Sequence, residues 1–465
     1  MVFSSLIFLY IFLPATLLVY YLLPRKGRNA VLFFFSLIFY AWGEPVYVLG
    51  ILASVVVNYF FGIQLEKHRS RALLAVNIAL NLGYLAFFKY TGFVIGTMNR
   101  LLGTDMTILK IALPIGISFY TFQALSYTVD VYRGKVAAGK NILDFGTYIT
   151  MFPQLIAGPI VRYQTIEREL RTRKETLEDF TDGIRRFATG LGKKVLLANS
   201  IGQIWDAVRK GSESDLTTAT VWLGMICFTF QIYFDFSGYS DMAIGLGRMF
   251  GFHFDENFDY PYISSSVTEF WRRWHISLST WFKEYVYIPL GGNRRGAVRQ
   301  IRNILIVWFL TGLWHGAAWS FVLWGVYYGL FLIMEKLFLG KLLKKLPRAI
   351  AWFYTILIVI GGWGIFGLAD VLPELKMSFV RGALFLGDNG VYSAHTQYLL
   401  SGHIVLLVVA AIISTGVITR FVKIYVKKYE TVYAIGSMIY TSVLIVASTA
   451  CIVADTYNPF LYFRF

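Results

Sequence analysis

The chain is predicted to be an all-α polytopic membrane protein, and three observations carry that prediction. It is 57% hydrophobic and only 15% charged over 465 residues, with a mean hydropathy of +0.58; a soluble domain is roughly 45–50% apolar and 25% charged. Apolar runs of spanning length, about 20 residues each, follow one another along the chain. Lys and Arg fall in alternate loops between those runs, the pattern expected where those loops face the cytoplasm. The formal net charge of +16 therefore reads as basic cytoplasmic loops rather than a nucleic-acid surface, part of it available to attract an acidic carrier protein or phosphate groups. Cys227 and Cys451 both lie in apolar segments and make neither a disulfide framework nor a metal motif.

Taken in order, residues 6–23 form an apolar run too long for a signal-peptide core and with no basic residue ahead of it, so a retained first span is expected. Arg25, Lys26 and Arg28 follow it and place the N-terminus outside. Residues 30–42 and 45–62 form a hairpin returning to Lys67, Arg69 and Arg71; residues 72–88 lead out and 111–129 lead back to Arg133, Lys135 and Lys140. Residues 146–160 are apolar but interrupted by Pro153, Gly158 and Pro159. A re-entrant segment fits them, since broken backbone at membrane depth has to be shielded by protein or line a cavity. Residues 167–194 are expected to be charged surface helices, 195–208 a weak short span and 217–236 a strong one.

From 237 to 302 basic residues are interleaved with Trp, Tyr and Phe, the composition of helices lying at headgroup level. Residues 303–334 are two short spans or one broken span, and 350–368, 403–421 and 437–454 are further spans. The expectation is eleven or twelve spans in a single domain with both termini extracytoplasmic. Its parts are N-terminal spans over 1–140, a core over 141–345, C-terminal spans over 346–454 and an aromatic tail over 455–465. No internal repeat stands out.

Two of the six histidines fall in the most distinctive stretch of the chain. His315 lies well inside an apolar run, where a charge costs about 2–3 kcal/mol by insertion scales. Burial keeps such an imidazole neutral; it can then act as a general base, a metal ligand, a proton relay or a hydrogen-bonded core residue. Gly312 and Gly316 beside it permit close approach of backbone or ligand. His275 follows Arg272 and Arg273, whose charge also favours the neutral ring; it can orient an acyl group, donate to an oxyanion or cap an interfacial helix. Asp235, Ser237, Tyr239 and Asp241 form a polar cluster that walls a cavity or caps the end of a span. There is no HExxH and no Gly-x-Ser-x-Gly, so no metal site and no serine nucleophile is expected.

The motifs Phe270-Trp-Arg-Arg-Trp-His275, Trp281-Phe-Lys-Glu-Tyr-Val-Tyr-Ile-Pro-Leu-Gly-Gly-Asn293 and Gly312-Leu-Trp-His-Gly316 together resemble the membrane-bound O-acyltransferase family. Asp235-Phe-Ser-Gly-Tyr-Ser-Asp241 and Phe152-Pro-Gln-Leu-Ile-Ala-Gly-Pro159 resemble its branch for alginate O-acetylation, with the D-alanine transfer protein of teichoic-acid modification as a cousin.

The resemblance implies a ring of spanning helices, with re-entrant and interfacial helices, around a central tunnel. It implies His315 as catalytic base and His275 as the second signature position, with Trp274, Trp314, Asp235 and Tyr239 as candidate tunnel residues. It implies no bound cofactor; the donor substrate is a thioester, acyl-CoA or an acyl carrier protein. The acceptor is a hydroxyl of an exported polysaccharide, reached at the plasma membrane with an extracellular SGNH or esterase-type acetyltransferase as partner. The tail Asn458-Pro-Phe-Leu-Tyr-Phe-Arg-Phe465 resembles an aromatic motif of this branch, which makes Tyr462 a candidate acyl relay. D-alanyl transfer to teichoic acid, and a transporter with a histidine relay, are the alternatives.

Overall fold

A computed structural model describes residues 1–109, 111–454 and 460–461. Among these residues every regular element is helical. They divide into two compact units: Met1–Phe187 with Tyr239–Glu256, and Ala188–Gly238 with Asn257–Leu461.

The chain opens with a π-helical turn, Phe8–Phe12, that runs directly into α1, Leu13–Leu22. α2 (Arg28–Ala41) and α3 (Val48–His68) make the expected hairpin. α4, Arg71–Leu102, runs 32 residues, about 48 Å of helix against a hydrocarbon core of about 30 Å. It continues past Phe88, where the apolar run stops, because buried Lys89 donates to Ser118 Oγ at 3.2 Å. α5 begins at Ile117 rather than near 111, since Pro114-Ile115-Gly116 turns the chain. Gly116 takes φ +76, and a Cβ there would stand 2.7 Å from the Leu155 carbonyl oxygen, so only glycine fits.

The interrupted segment is α6 (Ile142–Thr150) and the single turn α7 (Phe152–Leu155), and residues 145–161 are buried throughout. Protein thus shields the broken backbone, as membrane depth demands. α8 (Tyr163–Thr172) and α9 (Leu177–Gly192) are amphipathic. α9 passes through a π-helical segment, Lys193–Ala198, into α10, Asn199–Lys210. Residues 195–208 are therefore part of one continuous helical stretch from α9 to α10, its apolar face buried at Val195, Ile201, Trp205 and Val208; α10 has 12 residues and carries Asp206, Arg209 and Lys210 near its end, too short and too charged to cross alone.

α11 runs Thr218–Met249, 32 residues, and does not stop at the polar cluster that begins at Asp235. α12 (Val267–Arg273) and α13 (Ile276–Phe282) are short and meet at His275. Residues 303–334 resolve into two helices, α14 (Ala297–His315) and α15 (Trp319–Met334), broken at Gly316. The turn α16 (Gly340–Leu343), then α17 (Arg348–Gly367), α18 (Lys376–Ala383), α19 (Ala394–Ser414), α20 (Val417–Phe421) and α21 (Glu430–Ala454) complete the chain.

Seven helical stretches among the described residues are long and apolar enough to cross a membrane: α3, α4, α11, Trp319–Leu343, α17, α19 and α21, with a shorter apolar helix over Phe8–Leu22. The count is below eleven because α2 has 14 residues and α5 has 16, while α14 opens on Arg299 and Arg302. Of the most apolar stretch of α11, 72% is buried, against 11% for α21. α21 instead exposes Val432, Met438, Val443 and Val446, and α19 exposes Val405 and Val408. Apolar faces of that extent need lipid or a partner, and the chain is a multi-pass membrane protein.

Candidate functional site

His315 is the last residue of α14, and the chain leaves it in extended backbone at Gly316 before α15 begins. The α14–α15 hairpin is tight because three glycines remove side chains from the contact. A Cβ on Gly312 would collide with the Phe321 carbonyl oxygen, one on Gly316 with the Phe321 ring, and one on Gly325 with the Trp308 carbonyl oxygen. The glycines around His315 thus serve helix approach, the small-residue packing that membrane helices favour. The His315 ring is buried, with ring centroids 5.1 Å from Trp314, 5.0 Å from Trp324 and 5.5 Å from Phe366.

His275 occupies the corner between α12 and α13 in the left-handed region, φ 45 and ψ 54. That conformation costs a non-glycine residue about 1–3 kcal/mol and persists only where its surroundings enforce it. Asn257 enforces it: its main-chain oxygen accepts from Ile276 N–H at 3.0 Å and its Oδ1 from Ser277 N–H at 3.3 Å and Ser277 Oγ at 2.9 Å. The same Oδ1 stands 3.1 Å from His275 Nδ1. A main-chain N–H can only donate, so the atom facing it is the amide oxygen. His275 Nδ1 therefore carries the proton, and Nε2 presents a lone pair.

Nε2 is buried with no hydrogen-bond partner among the described residues. Burial pushes the imidazole down to about 3. The neutrality expected from Arg272 and Arg273 has this other cause: Arg273 is engaged by Glu269 at 3.0 Å and Asp259 at 2.7 Å, and Arg272 is exposed. Glu335 fixes the start of α12, accepting from Val267 N–H at 2.7 Å and Thr268 N–H at 2.9 Å.

The two histidines, far apart in sequence, both lie against Trp314, whose ring centroid is 5.8 Å from His275 and 5.1 Å from His315. Trp274 packs on Trp363 at 4.7 Å and Phe258 at 5.0 Å; Trp363 in turn faces Trp324 at 6.0 Å. Trp274 thus backs the histidine cluster, one ring layer behind. The indole N–H groups of Trp271 and Trp324 are buried in this cluster without partners among the described residues.

Asp235 does not cap a helix end. It lies mid-helix in α11, 2% exposed, with Oδ1 2.6 Å from Lys194 Nζ and Oδ2 accepting the main-chain N–H of Leu461 at 2.8 Å. Asp241 is held by Arg186 at 2.7 Å. These ion pairs neutralise the carboxylates and let the helix run on. Phe236, next to Asp235, meets the His275 ring edge-on at 4.7 Å. Tyr239 stacks on Phe3 at 4.6 Å. Tyr462 lies outside the described residues. Asn257, Lys194 and Glu335 carry no signal in the sequence that would have singled them out, and Phe236 was visible only as a member of the motif that begins at Asp235. Among the described residues no group of three or more His, Cys, Asp or Glu is placed to hold a metal ion.

The sequence profile of the membrane-bound O-acyltransferase family matches residues 121–359, a stretch holding both histidines. The chain belongs to the membrane-bound O-acyltransferase family. It is 38% identical to a probable alginate O-acetylase, AlgI, of Azotobacter vinelandii over the whole of both chains. It is 32% identical to a peptidoglycan O-acetyltransferase of Helicobacter pylori over 85% of this chain and 81% of that one. A teichoic acid D-alanyltransferase of Streptococcus thermophilus is 28% identical over 49% of this chain and 58% of its own length. This membrane-bound O-acyltransferase is thus an enzyme rather than a transporter, and its two most distinctive motifs meet in space at Trp314.

Proposed function

We propose that this acyltransferase moves an acetyl group from a cytoplasmic thioester, acetyl-CoA or an acyl carrier protein, to the hydroxyls of an exported polysaccharide. It would act in the plasma membrane with both termini outside, and with an extracellular SGNH or esterase-type acetyltransferase as partner. The likeness to an alginate O-acetylase over the full length of both chains carries this reading. D-alanyl transfer to teichoic acid has the weaker support of a match over half the chain.

In this mechanism His315 is the general base. It takes the proton of the acceptor hydroxyl as the oxygen attacks the thioester carbonyl. The tetrahedral intermediate collapses with cleavage of the C–S bond, and the proton passes to the leaving thiolate. His275, held with its lone pair on Nε2, accepts a hydrogen bond from the acceptor hydroxyl and so orients it. With the proton of the neutral ring on Nδ1, facing Asn257 Oδ1, Nε2 has none to give an oxyanion, so that role passes to donors such as the buried indole N–H groups. Such a donor contributes about 3–4 kcal/mol. Trp314 forms the wall against which both histidines lie, with Trp274 behind it. Tyr462 would be the first acceptor, its phenol oxygen acetylated and then deacetylated by the next nucleophile outside.

Proteoliposomes loaded with labelled acetyl-CoA, or with D-alanyl carrier protein, and bathed in an alginate or teichoic-acid acceptor separate the readings. Acetyl label on external alginate supports the proposal; transfer from the D-alanyl donor alone overturns it.

A further inference from the structure

We infer that Asp235 is the positioning residue for the Phe460-Leu461 segment: it holds that segment by its backbone, beside the residue that packs on His275. Phe460 and Leu461 are 2% and 4% exposed. Two consecutive residues of α11 tie them. Asp235 Oδ2 accepts Leu461 N–H at 2.8 Å, and the Phe236 ring faces Phe460 at 6.2 Å. The same Phe236 ring lies edge-on to His275 at 4.7 Å.

The physical need for this arrangement is plain. A main-chain N–H buried away from water has to find an acceptor, and a carboxylate makes one of the stronger ones. A carboxylate buried to this degree must itself be neutralised. Lys194 supplies the charge at 2.6 Å and is in turn fixed by Asn199 Oδ1 at 3.0 Å. Lys194 belongs to the π-helical segment Lys193–Ala198, a distortion often found at functional sites. The anchor reads main chain, so it fixes the backbone at Leu461, whose side chain is itself buried.

The residue after Leu461 is Tyr462. The inference rests on the proposed relay for its catalytic meaning, but the seat itself stands on the Asp235 contact. The test is a double-mutant cycle with the full chain. Leu461→Pro removes the N–H, Leu461→Ala keeps it, and Asp235→Ala removes the acceptor.

Acetyl transfer is expected to fall roughly tenfold or more in Asp235→Ala and in Leu461→Pro, the size of a lost hydrogen bond to a charged group. Leu461→Ala keeps the N–H but loses the buried side chain, so it is the reference for that loss: Leu461→Pro should fall well below it, and the Asp235→Ala/Leu461→Pro double variant should fall no further than Leu461→Pro. Hydrogen exchange at the Leu461 amide should speed up in Asp235→Ala while the amides of α11 stay protected. Losses that multiply in the double variant, or an amide indifferent to Asp235, overturn the inference. If Asp235→Ala does not fold, Asp235→Asn with Lys194→Met keeps an acceptor without the charges, and its Leu461 amide must then remain protected. Tyr462→Phe isolates the relay: full activity there, with the Asp235–Leu461 coupling intact, removes the relay and leaves the seat. An acetylated Tyr462 with no such coupling does the reverse.

Discussion

Asn257 Oδ1 stands 3.1 Å from His275 Nδ1 and sets which ring nitrogen of that histidine holds the proton. The consequence is a neutral imidazole with its lone pair on buried Nε2, in the same aromatic cluster as His315.

Asn257→Asp is expected to change the pH profile. It puts a carboxylate beside Nδ1, which favours the charged imidazolium and raises the His275 pKa from about 3. In the parent enzyme His275 stays neutral through the working range and contributes no acid limb. In the variant, acyl transfer should be lost as pH falls through the raised pKa. A pH–rate profile identical to the parent's contradicts the lone-pair role.

Gly312→Ala should cost more than Gly316→Ala. The new Cβ at 312 meets a main-chain oxygen of Phe321, which cannot swing away, whereas at 316 it meets the Phe321 ring. Overpacking costs about 1–3 kcal/mol. The expected readouts are a lower melting temperature in detergent and reduced transfer, with Gly312→Ala the worse of the two.

Lys194→Met leaves Asp235 as an uncompensated carboxylate, 2% exposed. Removing one partner of a buried pair costs about 3–5 kcal/mol, while replacing both with apolar residues is often neutral. Lys194→Met should therefore melt well below the parent, and Lys194→Met/Asp235→Leu should recover most of that loss. Failure of the double variant to recover would show that the pair is not the source of the cost.

His253 is a pH-dependent clamp outside the spans. Its Nδ1 lies 2.8 Å from Glu169 Oε1 and its Nε2 3.2 Å from Asp179 Oδ1. Partial burial opposes the charged ring, but the bonds to Glu169 and Asp179 outweigh it and raise the pKa. The stabilisation is thus full below the ordinary histidine pKa and is lost as pH rises through the higher folded value. The protection of α8 and α9 amides, with the intrinsic base-catalysed exchange rate divided out, should fall as pH rises above the ordinary histidine range in the parent and show no such step in His253→Gln.

Most helices were legible as apolar runs because their lipid-facing and core-facing sides are both apolar, which the chain cannot hide. What failed was extent: at α5 because Pro114-Ile115-Gly116 turns the chain, and at α4 and α11 at a polar residue given a partner from a distance. α4 runs past Lys89 because Ser118 Oγ accepts a hydrogen bond from its Nζ; α11 runs past Asp235 because Lys194 answers it. Both histidines were visible as ionisable groups in apolar or aromatic surroundings. The partners that orient them were not: Asn257 is a lone amide in a loop, and Phe236 is one phenylalanine among 40. The glycines flanking His315 were visible, but whether backbone or ligand approaches them is decided by Phe321 on the next helix.

The central claim is that His315 is the base for acyl transfer. His315→Ala, purified from membranes and placed in proteoliposomes with labelled acetyl-CoA inside and polysaccharide outside, measures it most directly. The account predicts insertion and melting close to the parent's and acetyl transfer lower by about 10²–10⁴-fold, the usual contribution of a positioned base. Transfer within a fewfold of the parent rate in a correctly inserted His315→Ala protein would contradict it.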